Sequence, residues 1–147
     1  MSMPMATIPA RVGAFSVLLG ALVGWFVAVA LKWLSLAQIM SVSRWLARRC
    51  RRPATRDEAL RALALMDAGA RFVPYRVACL ERSLGVLLLM GSRRLGITWC
   101  QGVRTSPFAS HAWVELSGEP IGEPDTTATY QRLLVISPVT ATKGQST

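Results

Sequence analysis

Residues 97–116 read ITWCQGVRTSPFASHAWVEL, and here the pattern changes from helical to extended. Ile97 to Val103 is short, β-branched and aromatic, which predicts a strand. A loop containing Pro107 leads into His111–Leu116, whose alternation of side-chain type predicts a second strand. Ser117-Gly118 supplies a turn, and a third strand is expected from Pro120 or Ile121. Upstream the periodicity is that of helices. Thr55-Arg56-Asp57-Glu58 has the capping-box form, with Thr55 as N-cap and Glu58 reaching back from the third helical position. Ala59, Leu60, Leu63, Met66 and Ala70 make the apolar face that follows, and Gly69 is the expected stop. Pro74 closes the connection, and a second helix is expected from Tyr75 or Arg76 through Leu84, Leu87 and Leu88 to Met90, stopped by Gly91. Helices followed by a small hairpin sheet predict an α+β domain.

Further upstream, residues 12–31 (VGAFSVLLGALVGWFVAVAL) carry no charge. At a rise of ~1.5 Å per residue such a helix is long enough for a bilayer core of about 30 Å. Ser16, Gly20, Gly24 and Ala28 recur every fourth position, a stripe of small residues that admits another helix closely. Two readings stand at this point. One is membrane insertion or attachment, with the basic residues after Leu31 holding the remainder in the cytoplasm. The other is a soluble hairpin in which residues 33–49 fold back, with Trp33, Leu36, Met40 and Leu46 inward. Ala28-Val29-Ala30 has the form of a signal-peptide cleavage site. The apolar run is longer than such peptides carry, and only Arg11 precedes it, which disfavours that third reading.

Chain length, 147 residues, suits one compact domain with an appendage. An apolar content of 52% excludes a disordered polyelectrolyte. The net charge of +9 is unevenly placed: no Asp or Glu precedes Asp57, while Arg44, Arg48, Arg49, Arg51 and Arg52 crowd the approach to Pro53. That balance suits an anionic surface or an acidic peptide. Nucleic acid is a poorer fit, because neither an interleaved aromatic platform nor zinc-finger spacing accompanies the charge. The three cysteines, Cys50, Cys79 and Cys100, are odd in number and lack metal-ligand spacing. They argue for a reducing interior without a disulfide framework.

The chain has one histidine, so any imidazole chemistry belongs to His111. Cys79 falls in the first turn of the second predicted helix, where unpaired N–H groups and the helix dipole favour a thiolate. Its bland reading is a small buried hydrophobe. His111 opens a strand, and the Ser117-Gly118 turn returns the chain so that Glu123 comes beside it, able to hold one ring nitrogen. Which face Glu123 uses depends on loop length, since a slip of one residue reverses it. Asp125 is the next candidate for that role and Glu115 a weaker one. Cys100 and the tryptophans Trp99 and Trp113 read as structural.

The segments Cys79-Leu80-Glu81-Arg82-Ser83-Leu84 and Ser106-Pro107-Phe108-Ala109-Ser110-His111-Ala112-Trp113-Val114-Glu115 resemble the leader peptidases of lasso-peptide biosynthesis, in the transglutaminase-like branch of the papain-type cysteine enzymes. The resemblance runs from about Thr55 to Ile136, and Gly91, Gly96 and Gly102 fall where that family places glycines. It implies a catalytic Cys at a helix N-terminus packed on a small antiparallel sheet, after an apolar N-terminal helical segment. It implies Cys79 as nucleophile, His111 as general base, and Glu123 where the family usually has Asp. No cofactor or metal is implied. The activity expected is removal of the leader from a ribosomally made precursor through a thioester. The partners expected are that leader–core precursor, a small leader-recognition protein and a lasso cyclase, with a membrane surface as a further candidate. An oxyanion hole would use the Cys79 backbone N–H and a second donor, another backbone N–H or Trp113. Two rivals remain: transglutaminase-type transfer to an amine, and a non-catalytic membrane-associated assembly protein. The expected organisation is a basic, apolar segment over 1–52, a peptidase domain over 53–138 and a flexible tail over 139–147.

Overall fold

A computed structural model describes residues 13–70 and 79–138. In chain order the elements are α1 (Ala14–Trp33), α2 (Leu36–Arg48), β1 (Arg52–Pro53), α3 (Arg56–Ala70), α4 (Cys79–Ser92), β2 (Leu95–Gly96), β3 (Thr98–Thr105), β4 (Phe108–Leu116), β5 (Glu119–Pro120) and β6 (Gln131–Ile136). A 3-10 turn over Asp125–Thr129 precedes β6. The expected start of α4 near Tyr75 or Arg76, and the expected tail after Pro138, lie outside the described residues.

The main sheet is antiparallel in the order β5-β4-β3-β6. β3 and β4 pair without interruption from Thr98↔Glu115 to Thr105↔Phe108. The Pro107 loop is therefore only Ser106-Pro107, a two-residue turn with a cis peptide. Both strands run further than the sequence pattern suggested, because pairing across the hairpin carries the polar residues near the turn. Ser117 and Gly118 take positive φ, 53° and 81°, the geometry that reverses a two-residue hairpin. The returning strand stops at Pro120, so Glu123 stands beyond it, in the connection to β6. Strand β6, unexpected from the sequence, pairs with the opposite edge of β3 across an irregularity between Gln101 and Gly102.

Alternation divides the sheet. Trp99, Ala112, Val114 and Ile136 join Leu63, Met66, Val86, Leu87 and Met90 of the helices in one core. Trp99 is fully buried, and its indole N–H donates to Ser83 Oγ on α4 at 2.9 Å, which satisfies the polar atom the burial would otherwise strand. The opposite face carries Cys100, His111, Trp113 and Glu115.

The start of α3 is built as the capping box requires. Glu58 N donates to Thr55 Oγ1 at 3.2 Å, and Thr55 N donates to Glu58 Oε2 at 2.8 Å. Arg52 adds two further bonds to Glu58. Those contacts, Arg52 first and then the Thr55 backbone, hold the Glu58 carboxyl down at about 2.

Two glycines expected to stop helices do other work. Gly69 lies within α3, buried, where an added methyl group would overlap the backbone of Gly20 and Ala21 on α1. Gly20 in turn meets the Leu65 carbonyl. The small-residue stripe of α1 is thus used, but its partner is α3 and not the hairpin mate α2. Gly91 likewise lies inside α4, against Leu46 of α2, and the chain reverses at Arg94 with φ 58°. In α2, Met40 and Leu46 face inward, whereas Leu36 and the preceding Trp33 are exposed.

Replacing Gly69 with Leu should destabilise the fold by about 3 kcal/mol or more, since backbone on α1 cannot yield to the side chain; an unchanged denaturation midpoint would show that α1 does not pack on α3. The stabilising share of Glu58 should be complete above the ordinary carboxylate range, decline as the pH falls, and disappear near pH 2. Stability curves of wild type and Glu58→Gln should accordingly converge in acid and separate at neutral pH.

Candidate active site

Backbone N–H of Ile121 donates to the carbonyl of Val114 at 3.0 Å, so the chain leaving β5 stays along the free edge of β4. Two residues later the Glu123 carboxylate reaches both His111 of β4 and Arg82 of α4. Its side chain is 6% exposed. One oxygen, Oε2, meets Nε2 of His111 at 2.7 Å. The other, Oε1, accepts from Nη1 of Arg82 at 3.0 Å. Arg82 is itself fixed by a forked pair of bonds to Asp67 of α3, at 2.6 and 3.0 Å. Burial works against the charge of Arg82, but its bonds to Asp67 and Glu123 outweigh that and raise its pKa above the ordinary value. Four side chains from α3, α4, β4 and the β5–β6 connection form one continuous network.

Cys79 is the first described residue of α4 and is partly exposed. Arg82 stands three residues on, hence on the same helix face and about 4.5 Å along the axis. The helix that presents the cysteine is therefore the one whose arginine grips the partner of His111. A carboxylate accepts a hydrogen bond, so Nε2 carries the proton in neutral His111, and Nδ1 is left with the lone pair.

A second group holds the imidazole from the outer face of the sheet. The Trp113 indole lies nearly parallel to it, centroids 5.8 Å apart at 18°, and Tyr130 is tilted against it at 5.5 Å. Gly102, opposite His111 in the register, makes the room. A methyl there would come within 2.8 Å of the Trp113 ring and 2.5 Å of the Gln131 carbonyl. Trp113 is anchored in turn: its N–H donates to Glu115 Oε1 at 2.8 Å, and the same oxygen accepts from Arg132 Nε and Nη2 at 2.9 and 2.6 Å. This engagement removes Trp113 from the possible oxyanion donors. It also gives Glu115 a task other than orienting His111. Asp125 is exposed at the start of the 3-10 turn, and the carboxylate on His111 is that of Glu123.

The other two cysteines are poor nucleophiles. Cys100 is buried, and burial first, then the neighbouring Glu115 charge, pushes its thiol up to about 12. Cys50 donates to the carbonyls of Leu46 and Leu95, and burial raises its pKa as well.

Arg82, Asp67, Tyr130 and Arg132 were not singled out from the sequence. For Arg82 a signal existed, its spacing of three from Cys79 on one helix. Asp67, Tyr130 and Arg132 come from elements far apart in the chain, and only folding brings them here.

A model of the transglutaminase-like superfamily matches residues 21–135, more than three quarters of the chain. The protein belongs to that superfamily. Comparison with curated proteins and with solved structures gave no match. Members of this superfamily fit acyl chemistry at a cysteine, as peptide hydrolysis or as acyl transfer.

Brief treatment of the native protein with iodoacetamide at pH 8 should alkylate Cys79 and leave Cys100 unmodified, because Cys100 is buried with its thiol protonated. Peptide mapping by mass spectrometry checks this, and denaturation before alkylation should expose all three thiols.

Proposed function

We propose that this protein is a cysteine peptidase that removes the leader from a lasso-peptide precursor, with Cys79 as nucleophile, His111 as general base and Glu123 as the residue that orients His111. The observation that carries the reading is the 2.7 Å contact between His111 Nε2 and Glu123, completed by Arg82 from the helix that carries Cys79. With Nε2 held in this way, Nδ1 is the nitrogen left to act as the base. Support for the leader-peptidase subtype is the pair of segments around Cys79 and His111 already quoted. A strongly basic chain also suits an acidic leader.

In the proposed reaction Nδ1 of His111 takes the Cys79 proton, and the thiolate attacks the carbonyl at the leader–core junction. Glu123 stabilises the imidazolium so formed and keeps the ring in place. The tetrahedral oxyanion would be met by the backbone N–H of Cys79. His111 then gives its proton to the departing amine, leaving the leader as a thioester. Water, deprotonated by His111, releases it. A small leader-recognition protein would present the precursor, and a cyclase would consume the freed core. The reaction would take place in the cytoplasm.

Precursor incubated with the chain, with and without the leader-recognition partner, should yield separate leader and core masses. Cys79→Ala and His111→Ala should abolish this or reduce it by ~10³-fold or more. Glu123→Ala should cost less, on the order of 10–100-fold, since orientation assists without making a bond. Maturation undiminished in Cys79→Ala would end the enzymatic reading in favour of an assembly protein. A product carrying an added primary amine in place of a hydrolysed end would redirect it to acyl transfer.

A further inference from the structure

The two sides of α1 are unlike. Gly20, Gly24 and Val27 are buried against the domain, while Phe15, Leu18, Leu22, Trp25, Phe26 and Trp33 are all more than half exposed. Spacings of three, four and seven place those six on a single stripe opposite the glycines. Only 17% of the most apolar stretch of α1 is buried, so it is not a core helix. The exposed stripe continues sideways. Phe26 of α1 and Val42 of α2 both line a groove of about 230 Å³ between α1, α2 and α4, together with Leu31, Leu34, Ile39 and Leu88. The polar atom of the groove, Ser43 Oγ, is bonded to the Ile39 carbonyl. Beyond the groove Trp45 is half exposed, and the Arg49 guanidinium lies over its ring at 4.4 Å.

Charge surrounds this face with one predominant sign. Lys32, Arg44, Arg48 and Arg49 are exposed on α1 and α2, and no acidic residue occurs before Asp57. Glu81 of α4 lines a hollow beside Trp25 and Lys32, at the flank of the stripe. An apolar stripe with tryptophans, bordered by arginine and lysine, matches the boundary between acyl chains and anionic headgroups.

We propose that α1 and α2 form a docking face that lies in the plane of an anionic lipid surface, with α1 partly sunk into it and not crossing it. A crossing is opposed by the packing of α1. Its glycine stripe is locked to α3, which carries Arg56, Asp57, Glu58, Arg61 and Asp67; spanning the bilayer would carry those charges into hydrocarbon or tear the two helices apart. The inference is independent of the peptidase reading, because lipid binding alone tests it.

The full chain should be centrifuged with vesicles of phosphatidylcholine alone and of phosphatidylcholine with about one third phosphatidylglycerol. At low salt the bound fraction should be roughly tenfold larger on the anionic vesicles and should fall sharply at ~0.5 M salt. Alkaline carbonate should release it. Arg44→Gln/Arg48→Gln/Arg49→Gln, all exposed positions, should lose most of the anionic preference. Brominated lipid should quench tryptophan fluorescence in the wild type. It should not do so in Trp25→Phe/Trp33→Phe/Trp45→Phe, which keeps the apolar face and leaves only the buried Trp99 and Trp113. Retention after carbonate would overturn the proposal in favour of a spanning helix. Equal binding to both vesicles would overturn the headgroup assignment. Failure of the folded wild type to bind either, or a stable dimer that covers the stripe, would overturn it altogether.

Discussion

A single carboxylate joins the two layers of this domain. Glu123 divides its oxygens between His111 on the sheet and Arg82 on the helix that carries Cys79. With the side chain almost wholly buried, neither oxygen has ready access to water as a substitute partner. Removing one partner from such a group ordinarily costs about 3–5 kcal/mol, because a charge is left buried and unpaired. The strand that carries His111 and the helix that carries Cys79 are thereby tied together. Asp67 extends the constraint to α3, so the third helix also contributes to the geometry.

The two faces of the sheet separate support from chemistry. Toward the helices, Trp99, Val114 and Ile136 fill an apolar core. Away from them, His111 stands between two restraints of different kinds. The bond from Glu123 sets the tautomer, and stacking on Trp113 sets the plane of the ring. Trp113 is itself rigid, because Glu115 holds its N–H and Arg132 compensates the Glu115 charge. An arrangement of this sort fixes an imidazole ring without using flexible parts. The cost falls on Cys100, beside the same carboxylate, whose thiol cannot ionise near neutral pH.

The irregular use of glycine follows from close packing. Gly69 and Gly91 interrupt neither helix, because each faces a neighbouring helix that needs the space of a missing side chain. Local propensity alone would place a stop at both, and tertiary contact overrides it. Helix α1 gains a tight crossing on α3 from its small residues, but only along one stripe. Val27 joins the core and Leu19, Val23 and Leu31 pack against it, while Phe15, Leu18, Leu22, Trp25 and Phe26 stay outside, which is why length and hydropathy by themselves did not reveal the packing of this helix.

Much of the plan was legible in the chain. The capping box at Thr55 and Glu58, the turn at Ser117-Gly118, the strands on either side of Pro107, the apolar N-terminal helix and the α+β class all follow from side-chain type and spacing. These depend on interactions within a few residues, where the chain has little freedom to choose otherwise. The meeting of Glu123 with His111 was expected from the Ser117-Gly118 turn, but the links from Asp67 through Arg82 to Glu123 were decided by the tertiary structure, as were the pairing of β6 and the choice of α3 over α2 as the partner of α1. Each joins residues whose separation in the chain does not restrict their separation in space. Their meeting is set by how sheet and helices stack, and only the folded molecule contains that distance.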